Sequence, residues 1–142
     1  MKFLTVIAVS IALAGAMVSS IEPKQAQAKQ LITLTSGIQY IILKSGNGGA
    51  KPKASDTVTV HYEGTLLNGK VFDSSYQRGQ PATFPLSQVI PGWTEVVQLM
   101  SVGDKWAVTI PPHMAYGNRA VGNLIPANST LKFDIELLKI GR

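Results

Sequence analysis

Asp73, with Phe72 before it and Ser74 and Ser75 after it, is where the residue types of this chain most invite a chemical reading. A phenyl ring favours burial and a carboxylate favours water or a partner. Two arrangements fit: Asp73 caps the turn that begins at Ser74-Ser75, or it is the polar group at the rim of an apolar pocket. The serines do not stand in a G-x-S-x-G nucleophile elbow. His61 and His113 are the only histidines, and neither falls in an H-x-x-x-H or H-E-x-x-H spacing, so a metal site has no framework. The chain has no cysteine, which excludes a thiol nucleophile, a cysteine metal site, a disulfide framework and a lipid-anchored lipoprotein. No glycine run matches a phosphate loop. What remains is an aromatic set, Tyr62, Phe72, Phe84, Trp93, Tyr116 and Phe133, spread over much of the chain. It makes either an ordinary core or the walls of a concave site roofed by loops.

The elements that would carry these residues follow from periodicity. Val58, Val60 and Tyr62 alternate with Thr57, Thr59 and His61, a period of two that predicts a strand with one apolar face. Asn68-Gly69 supplies a hairpin turn, and Val71-Phe72-Asp73 returns. Gly37–Leu43 is a first strand, with Ile38, Tyr40 and Ile42 on one side. Ser45–Lys53 is a loop by its glycines and proline. Tyr76–Gln80 reads as a loop or bulge, and Thr83–Leu86 as a short edge piece bounded by proline. At Val89–Met100 the period changes: Trp93, Val96, Val97 and Met100 lie at i, i+3, i+4 and i+7, behind Pro91 at a helix start. Gly103 is expected to cap that helix. Lys105–Ile110 and Thr130–Ile140 alternate again, and Pro111–Ser129 between them is a long loop of the kind that usually serves a purpose. The expected fold is α+β, an antiparallel sheet of about five strands with one short helix on its apolar face.

The chain has 142 residues, which argues for one domain. Met1-Lys2, the apolar run Phe3–Val18 and Ala26-Gln27-Ala28 form the pattern of a signal peptide over residues 1–28. An earlier cut after Ala14-Gly15-Ala16, or an uncleaved membrane anchor, is the alternative, although the run is short for a span. Residues 29–36 then read as a tether and 37–142 as the folded domain. The formal net charge is +5, but the basic residues form no run or stripe, so no nucleic-acid partner is expected.

Val60-His61-Tyr62-Glu63-Gly64, Phe72-Asp73-Ser74-Ser75, Val89-Ile90-Pro91-Gly92-Trp93, Met100-Ser101-Val102-Gly103, Ala115-Tyr116-Gly117, Ile125-Pro126 and Phe133–Leu138 come in this order at near-uniform spacing. Together they resemble an FKBP-type peptidyl-prolyl cis-trans isomerase domain, from about Gly37 to Gly141. The resemblance implies a sheet half-wrapped around one helix and an enzyme that rotates X–Pro bonds in exported proteins, needing no cofactor or metal. It also implies roles. Trp93 would floor a proline pocket, and Tyr62, Phe72, Phe84, Val89, Ile90, Ile125 and Phe133 would line it. The Ile90 N–H and the Tyr116 hydroxyl would donate to substrate carbonyls, and Asp73 would sit near the twisting amide. Phe72, Asp73 and Tyr116 are the catalytic assignments. Partners would be proline-containing polypeptides and a macrolide inhibitor; the protein would be a monomer in the periplasm or thylakoid lumen, touching a membrane only through an uncleaved leader. A proline-binding module or chaperone with little catalysis is the alternative. Ala82, Met114, Val121 and Gly122 depart from the family's common residues, and Ala82, in place of an aromatic, implies weaker macrolide binding.

Overall fold

A computed structural model describes residues 30–141; the signal peptide expected at 1–28 lies outside them. Seven strands form one antiparallel sheet: β1 (Leu31–Thr33), β2 (Gln39–Lys44), β3 (Thr57–Leu66), β4 (Val71–Ser74), β5 (Ala82–Pro85), β6 (Lys105–Ile110) and β7 (Leu131–Gly141). The order is β1-β2-β6-β7-β3-β4, with β5 also paired to β3. β3 and β7 pair along ten register positions, from Thr57↔Gly141 to Leu66↔Leu131. Along β3 every second residue is buried, so Val58, Val60, Tyr62, Gly64 and Leu66 face the core. The other face carries His61, Glu63 and Thr65. The alternation that predicts the strand is therefore also the alternation that sorts its two faces.

Among the described residues two α-helices interrupt the strands. α1 (Ser75–Arg78) is a single turn directly after β4, and α2 (Pro91–Val97) is the helix set against the sheet. Pro91 occupies the first turn of α2, where a missing N–H breaks no intrahelical bond. Trp93, Val96, Val97 and Met100 are all buried. The helix ends at Val97 with Gln98 as its C-cap. Met100 therefore packs from the following turn, and Gly103 does not cap the helix. Gly103 instead has φ +94° and donates its N–H to Leu137 O at 2.7 Å, which leads the chain into β6.

The sheet has seven strands where about five were expected, and residues 29–36 are not only a tether. Leu31–Thr33 pairs with Ile41–Gln39 of β2. Three residues are too short to display a period, and this strand exists because β2 offers it a free edge. The hairpin at Asn68-Gly69 is a three-residue loop rather than a two-residue one. Gly69 N–H donates to Leu66 O, Leu66 N–H donates to Lys70 O, and Gly69 takes φ +90°, the glycine position of a bulged hairpin.

Gly64 has another reason to be glycine. It lies opposite Asp73 on β4 and Phe133 on β7. A Cβ at this position would stand 2.6 Å from Phe72 Cζ and 2.8 Å from Phe133 Cε1. The space a side chain would fill is occupied by two rings that meet edge to face, centroids 5.6 Å apart at 87°. Gly64→Ala is therefore expected to push both rings outward. Its cost is about 1–3 kcal/mol, as for other overpacked sites. Urea unfolding of the wild type and the variant measures this as a lower midpoint at unchanged m-value.

Candidate functional site

A concavity lies where the start of α2 meets the apolar face of the sheet. Its volume is about 410 Å³, and it is lined by Tyr62, Phe72, Asp73, Phe84, Gln88, Val89, Ile90, Trp93, Tyr116 and Phe133. That size suits a small ring and its flanking backbone. Trp93 is the floor and is 4% exposed. Three rings meet it edge to face: Tyr62 at 5.2 Å and 88°, Phe84 at 5.6 Å and 90°, and Phe133 at 5.4 Å and 83° between centroids. Edge-to-face pairs at such distances contribute about 0.5–1.5 kcal/mol each beyond their buried area. The floor and walls therefore brace one another without a ligand.

Each ring comes from a different element. β3 presents Tyr62 on its buried face, β4 brings Phe72 and Asp73, and β5 brings Phe84 opposite Val58. β7 contributes Phe133 and the long loop contributes Tyr116, while Trp93 is the third residue of α2. A 3₁₀ turn at Leu86–Gln88 leads into Val89 and Ile90. The Ile90 carbonyl accepts from the Trp93 and Thr94 N–H groups. The Ile90 N–H has no acceptor among the described residues. The Tyr116 hydroxyl likewise has no partner among them, and Tyr116 is 43% exposed. Two donors thus remain open at the edge of an apolar cavity.

Asp73 is engaged on both oxygens. Tyr62 Oη donates to Oδ2 at 2.5 Å, and Arg78 Nη1 donates to Oδ1 at 2.5 Å. Arg78 Nη2 also donates to Tyr62 Oη at 3.1 Å, and its guanidinium lies 5.7 Å from the centroid of the Tyr62 ring. Burial pushes the Asp73 carboxyl up. The hydrogen bonds from Tyr62 and Arg78 and the charge of Arg78 outweigh it and hold the carboxyl below its ordinary range. For Tyr62, burial first and then its bond to Asp73 raise the phenol. Asp73 is not the cap of the turn. Ser74 takes that role, its Oγ accepting from the Gln77 N–H at 3.2 Å.

Nine of the ten residues expected at the site line the cavity. Ile125 does not: it is 3% exposed and belongs to the core. Its backbone is bridged to Val121, with Val121 N–H donating to Ile125 O at 2.8 Å, so it supports the loop behind Tyr116. Ala82 shares a face with Phe84 but packs on the core outside the cavity. Gln88 also lines the cavity, beyond the residues the sequence points to. Its polar, exposed character gave no signal, and only the turn before Val89 places it there. Among the described residues no group of three or more His, Asp or Glu side chains is arranged to hold a metal, and no helix is long and apolar enough to cross a membrane.

A profile of the family described as "FKBP-type peptidyl-prolyl cis-trans isomerase" matches residues 48–138. The chain is 61% identical over 105 residues to "FKBP-type peptidyl-prolyl cis-trans isomerase FkpA" of Aeromonas hydrophila, covering 74% of this chain and 38% of that protein. It is 54% identical over 110 residues to "Outer membrane protein MIP" of Legionella longbeachae, covering 78% of this chain and 47% of that protein. The chain thus spans half or less of these two curated relatives. A crystal structure of a peptidyl-prolyl cis-trans isomerase from Pseudomonas syringae superposes with a TM-score of 0.74 at 38% identity, covering 83% of this chain and 87% of that one.

The depressed carboxyl of Asp73 sets a pH dependence. A carboxylate whose folded-state pKa is lowered adds stability above its unfolded value, near 3.9, and that stability is lost as pH falls through the lowered value. Thermal unfolding of the wild type and Asp73→Asn is expected to show a wild-type advantage that is constant above about pH 5 and closes below about pH 4. The half-exposed setting keeps the advantage to a few degrees at most.

Proposed function

The chain belongs to the FKBP-type peptidyl-prolyl cis-trans isomerase family, and on that footing we propose that it catalyses rotation about X–Pro bonds in polypeptides. The observation that carries this reading is the braced aromatic cavity over Trp93, with Asp73, the Ile90 N–H and the Tyr116 hydroxyl at its edge. An X–Pro bond turns over a barrier of about 18–20 kcal/mol, because amide resonance keeps it planar. Halfway round, that resonance is lost and the carbonyl is less dipolar. An apolar, water-poor cavity disfavours the planar, more polar form relative to the twisted one. Holding the ring on Trp93 and the flanking carbonyls on the two open donors favours the twisted geometry. Each ~1.4 kcal/mol so gained is worth about tenfold in rate. Nothing in this scheme asks for a nucleophile, a metal or a proton relay.

Several particulars belong to the same proposal. The substrates are exported proteins whose folding waits on proline; the leader pattern at 1–28 and the name of the Legionella relative support that setting, in a periplasm or lumen. The protein acts as a monomer. A macrolide of the rapamycin class would compete for the cavity. A second reading, a proline-binding module with little catalysis, is favoured by the exposure of Tyr116, which leaves one donor outside the dry part of the cavity.

A proline-coupled peptide assay on residues 29–142 tests the proposal. Phe72→Ala removes a wall that is worth about 1.5–3 kcal/mol if fully buried, and is expected to lower kcat/KM by roughly ten- to a hundredfold. Tyr116→Phe removes one donor, worth about 0.5–1.5 kcal/mol, and is expected to cost roughly two- to tenfold. Asp73→Val should also reduce activity while the fold remains. No acceleration by the wild type leaves the binding-module reading; wild-type rates in folded Phe72→Ala and Tyr116→Phe overturn the site assignment.

A further inference from the structure

Ser75 has a hydroxyl that isomerisation does not use, buried completely at 0% exposure. It cannot act as a nucleophile there, although His61 Nδ1 lies 2.7 Å from its Oγ. What it touches otherwise is the backbone of Tyr62. Tyr62 N–H donates to Ser75 Oγ at 2.7 Å, and Oγ stands 3.2 Å from Tyr62 O. Ser75 opens α1 and Arg78 closes it. This one turn therefore holds Tyr62 at both ends, its first residue on the backbone and its last on the phenol.

A hydroxyl has one hydrogen and two lone pairs. While His61 Nδ1 is bare, the Ser75 hydrogen is drawn to it, and Tyr62 O is left without this donor. In the imidazolium both ring nitrogens carry hydrogens. Nδ1 then donates to Oγ, and Tyr62 O is the acceptor left for the Ser75 hydrogen. Charging His61 thus gives Ser75 a second bond to Tyr62. We propose that Ser75 is a positioning residue that couples the protonation of His61 to the seating of Tyr62 and Asp73, and through them to substrate affinity. This rests on the isomerase reading above.

The surroundings of His61 are polar and mixed in charge. Its ring stacks on Tyr76, centroids 4.6 Å apart at 13°, and Lys105 Nζ lies 5.6 Å from the centroid of the Tyr76 ring. Glu136 is directly opposite on β7. One step along this face lie Glu63 opposite Asp134, and one step the other way is Lys139, opposite Thr59. His61 is partly exposed, so protons reach it from solvent.

The test compares wild type, Ser75→Ala and His61→Phe across roughly pH 5 to 8, the range of histidine switching. In the wild type, KM for a proline tetrapeptide is expected to rise about threefold with pH, the scale of one modest hydrogen bond, while kcat changes little. Ser75→Ala, which also loses the bond from the Tyr62 N–H, should be flat at or above the high KM. His61→Phe keeps a ring on Tyr76 but offers Ser75 no acceptor, so it should be flat at the low KM. Ser75→Thr, which keeps the hydroxyl, should restore the slope. A second readout needs no activity: the Asp73 amide and Trp93 indole NMR signals should follow the His61 titration in the wild type and not in Ser75→Ala. A wild-type KM that is flat while His61 titrates, or a slope kept in Ser75→Ala, overturns the coupling. If the wild type is inactive the isomerase reading fails, and the NMR titration still decides the coupling. If Ser75→Ala does not fold, the plateau of His61→Phe decides it.

Discussion

The convergence of three rings on the indole of Trp93 is the contact on which the site depends. α2 is seven residues long, too short to be stable by its own hydrogen bonds. It is held because Trp93, Val96 and Val97 bury against the sheet. The same burial brings the indole under Tyr62, Phe84 and Phe133, which come from three strands. Each ring supports the others, so the cavity persists when empty. It follows that docking the helix and forming the pocket are one event. A substitution that loosens the helix should damage the site, and one that collapses the site should loosen the helix.

Polar groups at the rim follow a different logic. Asp73, Arg78 and Tyr62 form a closed set of charge-assisted bonds. Exposed ion pairs contribute little to stability, on the order of 0–1 kcal/mol. The value of this set lies in geometry. It fixes the Tyr62 ring against both Trp93 and Phe84, and it leaves the Asp73 carboxylate charged but occupied. A carboxylate held below its ordinary range by such donors is a poor general base, since it takes up a proton reluctantly. It remains a fixed negative charge beside the cavity mouth, and its field is largely answered by Arg78. Asp73 therefore orders the wall more than it attacks anything.

Most of this was legible in the sequence, for physical reasons that can be named. Burial fixes a period of two on β3 and β7, and i, i+3, i+4 spacing on α2, so those residues declare their faces. The aromatic set stands out because rings are costly to expose and these come from four strands, a helix and a loop. What failed lacked a periodic signature. Leu31–Thr33 is a strand only because an edge was free beside it. Ile125 stands within the family's motif, yet its side chain is buried in the core and its backbone is bridged to Val121. Gln88 joined the site through the geometry of a 3₁₀ turn, which polar composition does not announce. Arg78 carries no such signature, because a lone arginine in a polar stretch looks like any solvated charge. Its partners, Asp73 five residues earlier and Tyr62 across the hairpin, become visible only when α1 folds back.

α1 shows how little chain a site needs in order to be stiff. Its four residues carry a buried serine at one end and the arginine that reaches Asp73 at the other. Between them Tyr76 lies flat on His61 on the outer face of the sheet. The turn therefore touches both faces of β3: the pocket side through Arg78 and the polar side through Tyr76. A β-sheet ordinarily insulates its two faces, because successive side chains point apart. Here that insulation is bridged at one place, where β4 runs directly into α1 without a loop. The proposed isomerisation, which proceeds by twisting a bond, needs walls that do not yield, and this turn stiffens the wall at Tyr62 from behind. It also leaves that wall answerable to the chemistry of the opposite face.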